Sequence, residues 1–374
     1  MGQFVRGKRM RLGLFNLMSF KDNARGLQGV IQDTREMIQL AEAIGFDTAW
    51  FAEHHFTNYS ISVSPLMMAA HMAGYTQRIK LGTAVIVLPL YHPMRIAQEI
   101  ALVDRLTDGR LVLGIGSGYQ AWEFDRYGLD VDARTDRLLA NWQMVSDALT
   151  TGHTRSADRH GAPLVTDFLL DTLQKPLPPV YITSTNPSVL KAFQPWQATP
   201  FMTAGYRGTH KLRQTVRDAR AGWQAAGLNG DMPVAIQQYI HVTDSRSEAR
   251  EAADRAMFVA RMIVALQGDT QVSAEAFIDA PPFVGEPTLD QVCDNLMFGD
   301  AETVAERILS EVREIRPSHY NCFFQFGDMP LARARRSLEL FGERVIPLLE
   351  AELGRITVDF NPALSGHQGG VYAN

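Results

Sequence analysis

The chain has 374 residues, 46% hydrophobic and 21% charged, the balance of a globular protein with a sizeable core. Its net charge is −5 with scattered basic residues, which leaves no nucleic-acid footprint, and no apolar run approaches the roughly 20 residues that span a membrane. Cys293 and Cys322 fit no ligand spacing and read as reduced thiols of a cytoplasmic protein, and the basic segment 1–11 lacks the apolar stretch of a secretion signal.

Residues 10–17 (MRLGLFNL) read as a buried strand. Residues 28–44 then show helical spacing in Val30, Met37, Ile38, Ala41 and Ile44, closed by Gly45. A second strand follows over 46–52 and a second helix over 65–75. Residues 79–88 (IKLGTAVIVL) are almost continuously apolar, as in a strand covered on both faces. A helix over 93–106 opens with Pro93, and 110–115 is the fourth strand. The fifth and sixth strands fall at 180–183 and 199–203, with helices from about 188 and over 209–226. Strand seven covers 234–242 and its helix 247–266. A helix over 302–315 leads into strand eight, 320–326, and a helix over 331–353 follows. Eight strands joined mostly by helices predict an α/β fold, a closed (β/α)8 TIM barrel, over an open doubly wound sheet.

The rhythm makes residues 1–354 one barrel domain, with a tail over 355–374. It breaks near 152–179, polar then proline-rich with room for a small hairpin. It breaks again near 268–299, which carries Pro281, Pro282 and Pro287 and no clear period. Segments of that length in a barrel serve as lids or access loops, or are plain surface insertions.

Several motifs could carry chemistry. Glu53-His54-His55 follows strand two, where barrel enzymes build active sites, and alternation along an extended segment turns one histidine toward the pocket. Gly114-Ile115-Gly116-Ser117-Gly118 follows strand four, but Tyr119 stands where a dinucleotide fingerprint needs its third glycine, so it reads as a tight turn beside a planar ligand or phosphate. Ser184, Thr185, Asn186 and Ser188 precede or open a helix and offer donors to a phosphate, or simply cap that helix. Arg95 and Asp104 on the third helix read as a structural ion pair under the barrel mouth. No histidine pair has the spacing of a metal-dependent barrel hydrolase, so no metal is expected.

Taken together these segments resemble the bacterial luciferase-like monooxygenases. The resemblance is carried by Phe46 to Phe56 (FDTAWFAEHHF), by Gly82 to Pro89 with His92-Pro93-Met94-Arg95, and by Leu106 to Gly118 (LTDGRLVLGIGSG). Residues 299–306 and 337–341 also fit. It implies an FMNH2-dependent monooxygenase, with reduced flavin supplied by a separate NAD(P)H:flavin reductase. The flavin would react with O2 through a C4a-(hydro)peroxide to oxygenate a small organic substrate by hydroxylation or Baeyer–Villiger insertion. It further implies His54 as catalytic base, and flavin contacts from Glu53, Thr83, Ala84, Val85, Gly116, Ser117 and Tyr119, with a non-prolyl cis peptide at Ala84-Val85. Luciferases hold the flavin phosphate with an arginine where this chain has Ser117, and carry a cysteine where it has Gly116. The phosphate then falls to Ser117, to the segment from Ser184 to Ser188, or to an arginine such as Arg207. An F420-dependent oxidoreductase of the same fold and a non-catalytic flavin-binding protein remain as alternatives. A homodimer is expected through the second and third helices, whose Met67, Met68, Met72, Met94 and Ile96 either offer apolar surface or are ordinary core. The loop 16–29, the residues after His55 and the insertion near 268–299 would shape the substrate site.

Overall fold

The structure, a computed structural model, describes residues 10–267 and 275–358. The barrel strands are β1 (Arg11–Asn16), β2 (Thr48–Phe51), β3 (Lys80–Thr83), β4 (Leu111–Gly116), β5 (Val180–Thr183), β6 (Thr199–Thr203), β7 (Ala235–Val242) and β8 (His319–Phe323). Each pairs in parallel with the next, and β8 pairs with β1, Arg11 opposite His319 and Leu14 opposite Cys322. That last pairing closes the sheet and excludes the open, doubly wound arrangement. Every residue of β4 and β7 is buried, as parallel strands covered by helices on one side and a filled barrel on the other must be.

The helices are α1 (Gly26–Ile44), α2 (Pro65–Ala73), α3 (Pro93–Leu106), α4 (Ala121–Arg126), α5 (Arg134–Thr151), α6 (Pro187–Phe193), α7 (Gly208–Ala225), α8 (Arg246–Gln267), α9 (Leu289–Asn295), α10 (Ala301–Ile315), α11 (Leu331–Leu340) and α12 (Ile346–Leu353). Gly45 ends α1 in the left-handed conformation, φ 103°, as its position predicts. Residues 152–179 do hold a hairpin, His153–Ala157 antiparallel to Pro163–Asp167. The described part of 268–299 is more ordered than its prolines suggest. It contains α9, whose Thr288 and Gln291 form a reciprocal capping box, and Met297–Gly299, which adds to β7. The expected single helix over 331–353 is interrupted by a π-helical turn at Phe341–Val345, where Gly342 lies against Ile44 and Pro347 follows. The tail beyond 358 lies outside the described residues, while Ile356 and Thr357 donate backbone N–H bonds to the Glu350 carboxylate.

Two expectations about side chains are corrected. Arg95 and Asp104 do not pair: nine residues apart on a helix they face opposite sides. Arg95 bonds Glu99 at 2.6 Å, and buried Asp104 accepts from Gln174 Nε2 at 2.7 Å. Of the five apolar residues that could offer surface, Met72 and Ile96 are core, and Met67 is the one that stands well exposed, at 70%.

The third predicted strand is really two pieces. After Thr83 comes a cis peptide at Ala84-Val85, and Ile86–Val87 then pairs with Ile115 and Gly116 of β4. The backbones of β3 and β4 touch here. A Cβ on Gly114 would lie 1.9 Å from the Thr83 carbonyl oxygen, and one on Gly116 would lie 2.5 Å from a Val85 methyl. The Thr83 hydroxyl donates to the Gly114 carbonyl and accepts from the Gly114 N–H, both at 2.8 Å. Gly114 therefore lets backbone meet backbone, and Gly116 makes room for the Val85 side chain.

Below this crossing the barrel is filled by the Trp50 indole, edge-on to Tyr181 (4.9 Å), Phe201 (5.4 Å) and His319 (5.7 Å). Burial pushes His319 down to about 4, against the opposing pull of Asp47. An unfolded histidine takes its proton near 6.5, so between about 6.5 and about 4 the unfolded chain binds more protons than the folded one. The His319 contribution is therefore complete above about 6.5 and is lost as the pH falls toward about 4, up to about 3 kcal/mol. Urea unfolding across that interval should show a shallower loss of stability for His319→Gln than for wild type. His241, held down to about 4 by burial, adds slope of the same sign, while Glu53 and Glu311, raised by burial, add slope of the opposite sign in both proteins. Identical slopes would contradict this account.

Candidate active site

The end of β2 is pinned before it reaches the histidines. Ala52 N–H donates to the Asn16 carbonyl (3.1 Å), His54 N–H donates to Ser62 (3.1 Å), and the Ser62 hydroxyl donates back to Ala52 (2.6 Å). From this fixed backbone the two histidines diverge. His54 faces a cavity of about 610 Å³ at the C-terminal ends of the strands. His55 turns into the protein.

The His54 ring packs on Tyr59, centroids 4.5 Å apart, and its Nδ1 lies 3.1 Å from Glu123 Oε1. The same oxygen accepts the His55 backbone N–H at 2.8 Å. A carboxylate oxygen receiving that amide is an acceptor, so Nδ1 of His54 carries the proton and Nε2 keeps its lone pair. No hydrogen bond occupies Nε2 among the described residues. His55 bridges two other groups, with Nε2 3.0 Å from Glu53 Oε1 and Nδ1 3.0 Å from the Tyr127 hydroxyl. The buried Glu53 carboxylate also accepts the Val87 N–H at 3.2 Å. Burial raises the Glu53 carboxyl above the usual carboxylate range, while His55, Val87 and Tyr91 pull it down.

The cavity floor is aromatic, from Phe15, Phe201, Tyr239 and Phe323, with Gln237 among them. Ala84, Val85, Ser117 and Tyr119 line the cavity together with His54, and Ile263, Val264 and Gln267 of α8 border it as well. Three cations line it: Arg134, Arg207 and Lys211. Arg134 sits 3.8 Å from Asp132. Arg207 and Lys211, one helical turn apart where α7 begins, have no carboxylate partner among the described residues.

Of the predicted site residues, Glu53, His54, Ala84, Val85, Ser117 and Tyr119 come together on this cavity. Thr83 and Gly116 lie behind it in the β3–β4 contact. Ser184, Thr185, Asn186 and Ser188 are not part of the lining, although Thr183 is. Asn186 caps α6, accepting Ser188 N–H at 2.9 Å, and Ser184 Oγ accepts Asn186 N–H at 3.1 Å. Ser188 Oγ also donates to Asn186 Oδ1 at 2.8 Å, so the helix start holds these side chains. Glu123, Tyr59, Arg134 and Lys211 were missed by sequence reasoning. Lys211 had a readable signal, four residues after Arg207 at a helix start; the carboxylate on the short α4 had none. A second cavity of about 500 Å³ lies between the loops after β1 and β8. Its buried Asp33 is held by Asn23, Arg25 and Gln325, so its charge is satisfied. Among the described residues no cluster of His, Cys, Asp and Glu could hold a metal ion.

Residues 10–319 match the family described as luciferase-like monooxygenase. An uncharacterized protein of Sinorhizobium fredii, y4vJ, is 35% identical, covering 92% of this chain and 99% of that protein. The oxygenase component of the flavin-dependent trigonelline monooxygenase of Acinetobacter baylyi is 25% identical, covering 90% and 95%. Among solved structures, the oxygenating constituent of 3,6-diketocamphane monooxygenase of Pseudomonas putida, a type II Baeyer–Villiger enzyme in complex with FMN, superposes with a TM-score of 0.71 at 18% identity, covering 94% and 100%. The coenzyme F420 dependent tetrahydromethanopterin reductase of Methanopyrus kandleri superposes at 0.63, also at 18% identity, covering 91% and 99%. At that identity both likenesses concern the fold.

The Glu123 geometry is open to a direct test. In protein with 15N-labelled histidine, His54 should appear as its Nδ1–H tautomer, and Glu123→Ala should make that tautomer the minor form. The same change strands the buried His55 amide and should cost roughly 1–3 kcal/mol of stability. A His54 tautomer indifferent to Glu123 would refute the assignment.

Proposed function

The chain belongs to the luciferase-like monooxygenase family, and from that premise we propose that it is the oxygenase of a two-component system. It would use FMNH2 and O2 to oxygenate a small organic substrate, by hydroxylation or Baeyer–Villiger insertion, with a separate NAD(P)H:flavin reductase supplying the flavin. The observation that carries this reading is His54, which lines the cavity with Ala84 and Val85 while Glu123 holds its Nδ1 and no hydrogen bond among the described residues occupies Nε2.

The residues present fit a flavin. The cavity is large enough for a planar ring system, its floor and wall are apolar or aromatic, and Arg207, Lys211 and Arg134 offer cations to a phosphate where luciferases use an arginine at the Ser117 position. Reduced flavin, when bound, supplies the electrons that activate O2. His54 Nε2 accepts a proton from the reacting centre and returns it, and Glu123 keeps the ring in the tautomer that can do so. Phe15, Tyr59, Phe201 and Phe323 keep water from that centre. The structural neighbours include an F420 enzyme, so an F420-dependent oxidoreductase is the second reading.

Anaerobic titration with FMNH2 and with reduced F420, followed by mixing with O2, separates the two. FMNH2 should bind and reoxidise on the protein, and His54→Ala should slow the oxygen-dependent phase by roughly 10²–10⁴ while binding stays within a few-fold. Binding of reduced F420 without FMNH2, or unchanged kinetics in His54→Ala, would overturn the reading.

We also propose a homodimer through α2 and α3, where Met67, Tyr75, Leu102 and Leu106 leave apolar surface exposed. Sedimentation should show a dimer for wild type and a monomer for Met67→Arg combined with Leu106→Arg; a monomeric wild type would rule the dimer out.

A further inference from the structure

His55 is the histidine that the proposed chemistry does not use, and its surroundings are unusual for a brace. The Tyr127 ring is 42% exposed, and its hydroxyl reaches Nδ1 of the buried imidazole at 3.0 Å. From the far side of the same ring Nε2 reaches Glu53 Oε1 at 3.0 Å, and Glu53 is part of the cavity wall. The polarity of the chain is fixed at its inner end. Val87 N–H and the Tyr91 hydroxyl both hydrogen-bond the Glu53 carboxyl group, which as a carboxylate can only accept. While Glu53 is ionised, Nε2 of His55 therefore donates to it and Nδ1 accepts the Tyr127 O–H. Each bond in the series has one donor and one acceptor.

We propose that Tyr127, His55 and Glu53 form a proton relay from solvent to the cavity wall, serving the site whose function is proposed above. One transfer breaks the Tyr127 O–H bond as Nδ1–H forms, and breaks Nε2–H as a proton joins Glu53 Oε1. A solvent water restores the Tyr127 hydroxyl. The forward transfer moves one proton from water to the Glu53 carboxylate, releases hydroxide to solvent and leaves the imidazole in its other tautomer; the same steps in reverse return that proton to water, so the relay equilibrates the cavity wall with solvent. No oxidant or reductant is involved. Imidazole suits this task because its two nitrogens exchange roles without a net charge on the ring. The destination is receptive, since burial raises the Glu53 carboxyl. The Phe56 ring, 5.8 Å from His55 and 5.2 Å from Tyr127, packs beside the relay without a polar atom to offer it. Neighbouring His54 and His55 thus divide the labour: one meets the reacting centre, and the other connects the wall to water.

The test uses the protein without flavin, so it stands apart from the cofactor question. In 15N-histidine-labelled protein, exchange of the His55 ring N–H with water is followed by NMR in wild type, Tyr127→Phe and Phe56→Leu. A relay predicts that Tyr127→Phe slows that exchange by at least about ten-fold, while Phe56→Leu, which loosens the same aromatic cluster, leaves it within about two-fold. A mere brace predicts the opposite sign, because a loosened ring exchanges faster. Unchanged or faster exchange in Tyr127→Phe, or an equal effect in the two variants, would overturn the proposal. Tyr127-dependent exchange in a protein that ignores FMNH2 would support the relay and sink the cofactor reading instead.

Discussion

Parallel closure of the barrel is the constraint from which the site follows. Because β1 pairs with β8 in the same direction as every other neighbour, all eight strands end on one face. Residues as distant in sequence as Leu17, His54, Val85, Tyr119, Thr203, Tyr239 and Phe323 are thereby delivered to one cavity. No local contact would do this. The ring also fixes strand height, and the touching backbones of β3 and β4 at Thr83 and Gly114 set where the wall beside His54 turns.

Within that frame a single carboxylate oxygen organises the histidine pair. Glu123 Oε1 holds the backbone of one histidine and the ring of its neighbour. Alternation along the chain sends the two side chains apart, and the shared acceptor keeps the divergence rigid. Removing it would disturb both rings at once, so the pair behaves as one unit with two outward faces. The cations lie beyond this unit, on α5 and where α7 begins.

Much of this was legible in the sequence, and the failures have physical causes. The apolar runs gave the eight strands within a few residues, because both faces of a parallel strand are covered. The third run misled by its continuity, since composition does not register the break after Thr83, but the cis peptide that the resemblance implied at Ala84-Val85 is present. Helix α5 was passed over although Leu138, Trp142, Val145 and Leu149 are buried at helical spacing. It sits among many polar residues, which masked the stripe. The glycines 114 and 116 announced a close approach, but sequence cannot say what approaches; at Gly114 the Thr83 backbone does, and at Gly116 the Val85 side chain. The hydroxyl-rich stretch after β5 left two readings open, and Asn186 does cap α6. Glu123 was invisible because its importance lies entirely in where a six-residue helix happens to point.

The indole of Trp50 has a consequence for traffic. With Trp50, Val112, Phe201 and Ala235 each less than 5% exposed, the barrel beneath the cavity is solid, and the cavity has no rear exit. Any two molecules that must meet inside reach it from the same face of the barrel. Whichever settles deeper has to arrive first and leave last, so an order of events is imposed by the shape of the vessel before any affinity is considered.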